Sequence, residues 1–152
     1  MDDLRIKPVA EADLDQLLPL VADYQRFYQV DSVDNAANRH FFSRFARDSK
    51  EGIQHLAVVS GEAVGFSTLY FSYCSIAAAP VATLYDLYVV PQQRGAGIGK
   101  ALIENAAVVA RKRGMRQMVW VTAPDNHTAQ RLYDRVGATR SEWVEYTMEL
   151  DA

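Results

Sequence analysis

The sequence predicts a single domain of mixed α/β class. Three observations predict it. Apolar residues recur with a period of two in some stretches and of three to four in others, and the two patterns alternate along the chain. Most glycines and prolines fall between these stretches, where they punctuate. The length of 152 residues suits one domain, and no repeat, linker or low-complexity tract interrupts it.

The elements follow in order. Leu4 to Val9 alternates apolar and polar residues, which predicts a strand. Residues 11–30 carry Leu14, Leu17, Leu18, Val21, Tyr24 and Tyr28 at helical spacing, with Pro19 expected to kink or split the helix. A second helix is expected over Asn35 to Asp48, capped by Asp34 and lined by Phe41, Phe42 and Phe45. Residues 53–60 and 63–76 read as two strands joined by a hairpin at Ser60-Gly61-Glu62. Another strand runs from about Val81 to Val90, where Pro91 ends it. A long amphipathic helix is expected from Gly97 to Arg113, with Leu102, Ala106, Val109 and Ala110 inward and Gly114 at its C-cap. Gln117 to Thr122 is an apolar strand, and Asn126 to Val136 is a helix with Ala129, Leu132, Tyr133 and Val136 on one stripe, stopped by Gly137. Ser141 to Leu150 is the closing strand. The order is β-α-α-β-β-β-α-β-α-β.

Composition narrows the function. Hydrophobic residues make up 49% and charged residues 23%, as in a soluble globular protein. A net charge of −3 argues against a general nucleic-acid binder. The acidic N-terminus lacks the hydrophobic run of a signal peptide, and no apolar stretch is long enough for a membrane span. The single cysteine, Cys74, excludes an internal disulfide and suits a reducing cytosol. A cytoplasmic location is therefore expected. His40, His55 and His127 are too scattered to form a metal site, and none is expected.

The richest stretch is Arg94-Gly95-Ala96-Gly97-Ile98-Gly99-Lys100, between a strand and a helix. Glycines there let a phosphate approach the backbone, and the N–H groups at a helix start bind anions. Arg94 and Lys100 add charge. A Walker A loop needs a longer spacing and a Ser or Thr after the lysine, whereas Ala101 follows Lys100. A dinucleotide fingerprint needs a third glycine where Lys100 stands. Both are excluded, and a plain glycine-rich turn without a ligand stays open on this stretch alone.

Two motifs in order and spacing then resemble the GNAT superfamily of acetyl-CoA-dependent N-acetyltransferases. The first is Arg94, Gly97 and Gly99; the second is Asn126, Ala129, Leu132, Tyr133, Gly137 and Ala138. The strand before the loop looks closest to the branch of diamine and histone-type amine acetyltransferases. The resemblance implies a three-layer fold whose central sheet is mixed, mostly antiparallel, with one splayed parallel pair. It implies acetyl-CoA in that splay. Main-chain groups of Leu87, Tyr88 and Val89 would hold the pantetheine arm, and Gly95, Ala96, Gly97, Ile98, Gly99 and Lys100 would cradle the pyrophosphate. Asn126 would bond the arm or simply cap its helix, and the two roles are compatible.

The resemblance also implies direct transfer to a primary amine, without an acyl-enzyme. Tyr133 would be the general acid for the leaving thiolate; the alternative is a core-facing aromatic. The base is open. Asp86 is the only acid in the central strand, yet simple alternation puts it with Leu84 and Tyr88, opposite Thr83 and Tyr85. A bulge could turn Asp86 inward. Otherwise it binds the substrate ammonium or buttresses a helix, and water relayed through Tyr85 serves as base. Tyr24, Phe27 and Tyr28, with Asp31 and Asp34, either wall the acceptor pocket or belong to core and loop, as do Glu142, Trp143 and Glu145. The acceptor would be a small amine, a polyamine, or a protein lysine or N-terminus. A homodimer is expected, with Trp143 a candidate contact. A CoA sensor that has lost chemistry is the alternative function, and an assembly module without CoA affinity a third.

Overall fold

A computed structural model describes residues 3–47 and 49–150. The chain forms two compact units, Met1–Val121 and Thr122–Ala152. The first holds a five-stranded sheet in the order β1-β2-β3-β4-β5. β1 (Leu4–Pro8), β2 (Gly52–Val59), β3 (Glu62–Cys74) and β4 (Ala79–Val89) pair antiparallel in sequence. β5 (Gln117–Val119) pairs parallel to β4. The hairpin between β2 and β3 turns on Ser60 and Gly61, both at positive φ (51° and 86°), as a tight two-residue hairpin requires.

The helices cover both faces of this sheet. Leu56 and Ala57 are neighbours on β2, so their side chains point to opposite faces. Leu56, with Phe66 and Tyr88, joins the core under α1 (Leu14–Phe27) and α2 (Asn35–Ser43). Ala57 joins Val64, Ile98 and Leu102 under α3 (Ile98–Lys112). Asp34 caps α2 by accepting from the amides of Ala36 and Ala37, each at 2.9 Å. Gln25 and Asn38 exchange two side-chain hydrogen bonds of 2.8 Å and lock α1 to α2.

The structure corrects several boundaries. Pro19 neither splits nor ends α1, which runs unbroken past it. The missing N–H costs only the bond to the Asp15 carbonyl, in the first, exposed turn where water reaches it. α2 stops at Ser43; the chain then turns through i−3 bonds at Phe45 and Ala46, which still brings Phe45 into the core. Asp48, the expected end of that helix, lies outside the described residues. β5 is shorter than expected and ends at Val119.

In the second unit, α4 (His127–Arg135) is the only regular element among the described residues. It ends in a Schellman turn, with Gly137 at φ 81° and Ala138 N–H bonding the Tyr133 carbonyl at 3.1 Å. The expected closing strand at Ser141–Leu150 is not formed: no ladder includes these residues, although Val144, Tyr146, Met148 and Leu150 alternate as a strand would. Alternation supplies a two-sided pattern; a strand also needs a hydrogen-bonded partner.

Candidate active site

The glycine-rich loop lies where the sequence places it. β4 ends, Pro91–Gln93 makes a single 3₁₀ turn, and α3 begins at Ile98. Gly95 and Gly97 both sit at φ 82°, a left-handed conformation that a side chain would strain. Gly97 is the N-cap of α3, and no side chain caps the helix there. The amides of Ile98, Gly99 and Lys100 have no acceptor from a preceding helical turn. They present a ready anion site at the positive end of a helix dipole.

Arg94 and Lys100 have other partners. The Arg94 Nε donates to the Val89 carbonyl oxygen at 2.9 Å, and its guanidinium lies 5.7 Å from the ring centre of Phe27 and 5.8 Å from that of Tyr88. Arg94 thus pins the loop to β4 and to the end of α1. Lys100 forms an exposed i,i+4 pair with Glu104 at 3.5 Å.

β4 offers an open edge beside this loop. β5 pairs it only at Val81, Ala82 and Thr83, so the two parallel strands part company there. The Val90 N–H bonds the Val64 carbonyl at 2.9 Å. Antiparallel alternation then directs the main-chain groups of Tyr88 toward Phe66, and those of Leu87 and Val89 toward the open edge. A Cβ placed on Gly65 would come within 2.6 Å of the Tyr88 carbonyl oxygen, which fits that direction. Of the three expected arm-binding residues, Leu87 and Val89 offer backbone to the edge; Tyr88 contributes its buried ring on the α1 face.

Asp86 lies at an irregularity in the same strand. Thr68 pairs with Asp86, but Leu69 pairs with Leu84, so Tyr85 is an extra residue in β4. Past this bulge, Asp86 shares a face with Thr83 and Tyr88; Leu84 is on the other. Simple alternation had grouped it with Leu84, and the bulge is the physical reason for the difference. Tyr85 is left 66% exposed, its ring 5.1 Å from that of Tyr70. Asp86 is 7% exposed, with Thr68 directly across from it on β3 and the Tyr24 hydroxyl nearby on the α1 side. Burial pushes its carboxyl above the usual range, and the two hydroxyls partly offset that. The Gln54 Nε2 donates to Thr68 Oγ1 at 3.0 Å.

In the second unit, Asn126 caps α4: its Oδ1 accepts from the Ala129 amide at 3.1 Å. Tyr133 stands on the same helix, two turns after the cap. Among the described residues, no group of three or more His, Cys, Asp or Glu is placed to hold a metal ion, and no helix is long and apolar enough to cross a membrane. Asp34 is engaged as a cap, while Asp31, Glu142, Trp143 and Glu145 are exposed. Sequence reasoning missed that Thr68, bonded to Gln54, and Tyr24 gather beside Asp86. Only Tyr24 carried a signal, as an aromatic near the end of the first helix.

A helix start with free amides lies after the open edge of a parallel pair that parts beyond Thr83. The model of the Acetyltransferase (GNAT) family matches residues 16–138, and the chain belongs to that family. It is an N-acetyltransferase, of a family that uses acetyl-CoA. Among similar proteins is the uncharacterized N-acetyltransferase YhfO of Bacillus subtilis, 27% identical over 98% of this chain and 99% of that one. The thialysine N-epsilon-acetyltransferase of Caenorhabditis elegans is 27% identical over 98% and 94%. A crystal structure of a probable acetyltransferase superposes with a TM-score of 0.85 at 30% identity, covering 97% of this chain and 99% of the other.

Proposed function

We propose that the chain transfers the acetyl group of acetyl-CoA directly to a primary amine, of a small amine or polyamine or of a protein lysine or N-terminus. One observation carries the reading: the open β4 edge leads, through a short turn and the glycine loop, to a helix start whose amides no side chain caps. The residues suit the cosubstrate. Amides of Ile98, Gly99 and Lys100, with Gly95 to Gly97 shaping the approach, bind the pyrophosphate. Leu87 and Val89 hold the pantetheine arm as an added strand would be held. The Val89 N–H stabilises the oxyanion as the amine attacks. Asp86 takes the proton that the acceptor ammonium must lose. Tyr133, assigned on its motif alone, gives a proton to the departing thiolate; such acid–base steps are typically worth about 10²–10⁴-fold each. Asn126 serves as cap and as a pantetheine contact.

The relative that acts on thialysine supports a small amine as the first acceptor to try. We read all 152 residues as one catalytic domain, cytoplasmic and homodimeric, with Trp143 at the contact. Calorimetry with acetyl-CoA and thiol release with thialysine, spermidine and a lysine peptide test the proposal. No binding at millimolar acetyl-CoA would sink it. Binding without thiol release from any primary amine would favour a CoA sensor. Replacing Tyr133 by Phe is expected to lower turnover more than acetyl-CoA affinity; equal losses would make Tyr133 structural.

A further inference from the structure

The bulge that turns Asp86 also sets Tyr85 beside it, a large ring left 66% exposed. That ring is braced. Its centre lies 5.1 Å from the ring of Tyr70, tilted by 51°. Tyr70 in turn lies 5.4 Å from Phe45, and Phe45 lies 5.6 Å from Phe41. Four rings, from α2 and the turn after it, from β3 and from β4, thus form one row. Phe45 is buried within it, while Phe41 and Tyr85 are exposed at its ends. Phe66, Thr68 and Tyr70 alternate on β3, and Phe66 and Tyr70 both pack on the α1 side. Thr68 stands across from Asp86, so the row meets the sheet on the face that carries the acid. Bulges next to active sites re-aim side chains, and here the re-aimed pair is an acid and an aromatic.

The charges along the row are unequal. Asp86 stands at one end. At the other, the Arg44 guanidinium lies 5.8 Å from the ring centre of Phe41, and its Nε is 3.7 Å from a Glu51 carboxylate oxygen. That pair cancels, so the far end offers no net negative charge. A polyamine laid along the row would bring its second ammonium to a guanidinium. A molecule with one ammonium and an apolar body matches both parts: its charge goes to the acid and its body to the rings.

We propose that Tyr85, braced by Tyr70, is a specificity-determining residue for the acceptor, and that it selects a primary monoamine with an apolar, ring-bearing body over a polyamine. The inference rests on the reading of the chain as an amine acetyltransferase with Asp86 as base. The acceptor places its ammonium at Asp86 and lays its body along the row toward Phe41. Tyr85 touches that body and not the reacting atoms, so its effect falls on KM. The ring is what matters, and Tyr85→Phe keeps it.

Two primary amines of similar length read the selection: phenylbutylamine and spermidine. The parent is expected to favour phenylbutylamine about tenfold in kcat/KM. Tyr85→Ala is expected to erase that preference, mainly through KM, while Tyr85→Phe keeps it within about twofold. Tyr85 is exposed, so its truncation should leave the fold intact. Arg44→Glu is expected to shift the preference about threefold toward spermidine. Calorimetry of each amine with CoA present reads the same order of affinity without turnover. A parent that prefers spermidine overturns the proposal, as does a preference that Tyr85→Ala leaves unchanged. The reading beneath fails differently: Asp86→Asn with undiminished turnover of both amines would remove Asp86 as base, whereas the affinity ratio in the Tyr85 variants still decides the ring surface.

Discussion

The two faces of the central sheet handle buried polarity in opposite ways. Under α1 and α2, Gln54 bonds Thr68, which stands across from Asp86, and among the described residues of this group Gln54 Oε1 is left over. Under α3, His55 and Ser67 pair across β2 and β3, yet His55 Nδ1, Ser67 Oγ and Asn105 Nδ2 are all buried without a partner. A buried carboxylate is tolerable only with donors that accept its charge. A buried imidazole can instead remain neutral, and burial and the nearby Arg113 push His55 down to about 4. The difference teaches where charge is meant to appear: on the α1 face, next to the open edge of β4.

The strongest way to break this comparison is Asp86→Asn. The amide keeps the shape of the carboxylate and needs no charge to be buried, so folding should survive. Thiol release is expected to fall by about 10²–10⁴-fold; turnover within threefold of the parent would make the α1-face network structural. The next effect is on acid stability. His55 titrates near 6.5 unfolded and about 4 folded. The folded state binds fewer protons between those values, so the stabilisation is complete above pH 6.5 and is lost as pH falls through about 4. It amounts to about 3 kcal/mol, and urea unfolding across that window should show it. His55→Gln should flatten that slope. Thr68→Val is expected to cost about 1–2 kcal/mol, because it leaves Gln54 Nε2 buried without an acceptor. Ser67→Ala, one residue away on the opposite face, should change stability by no more than about 0.5 kcal/mol, since its hydroxyl has no bond to lose. A larger cost at Ser67 than at Thr68 would reverse the comparison.

Much of the fold was legible. The helix starts at Asp34 and Asn126 and the stops at Gly114 and Gly137 are set by side chains or φ values within a few residues of the break. The loop from Arg94 to Lys100 was legible for the same reason, since glycines at positive φ before a helix are a local statement. The bond from Arg94 to the Val89 carbonyl was not, because a long flexible side chain has several partners within reach. The unformed closing strand marks the other limit. Its alternating residues describe two faces, and pairing depends on a partner that no local pattern contains.

The sequence by itself determined the class, the phosphate-type loop, the family and the residues from which the site is drawn. These follow from spacing and from conformations that single residues impose. Tertiary structure decided what those residues do to one another. The extra residue at Tyr85 turned Asp86 to the side of Thr83 and Tyr88, and α1 brought Tyr24 near it. Neither contact follows from a period or a motif. A bulge is a choice of register between two strands, and a helix residue comes near a strand residue only once both elements have packed on the same face.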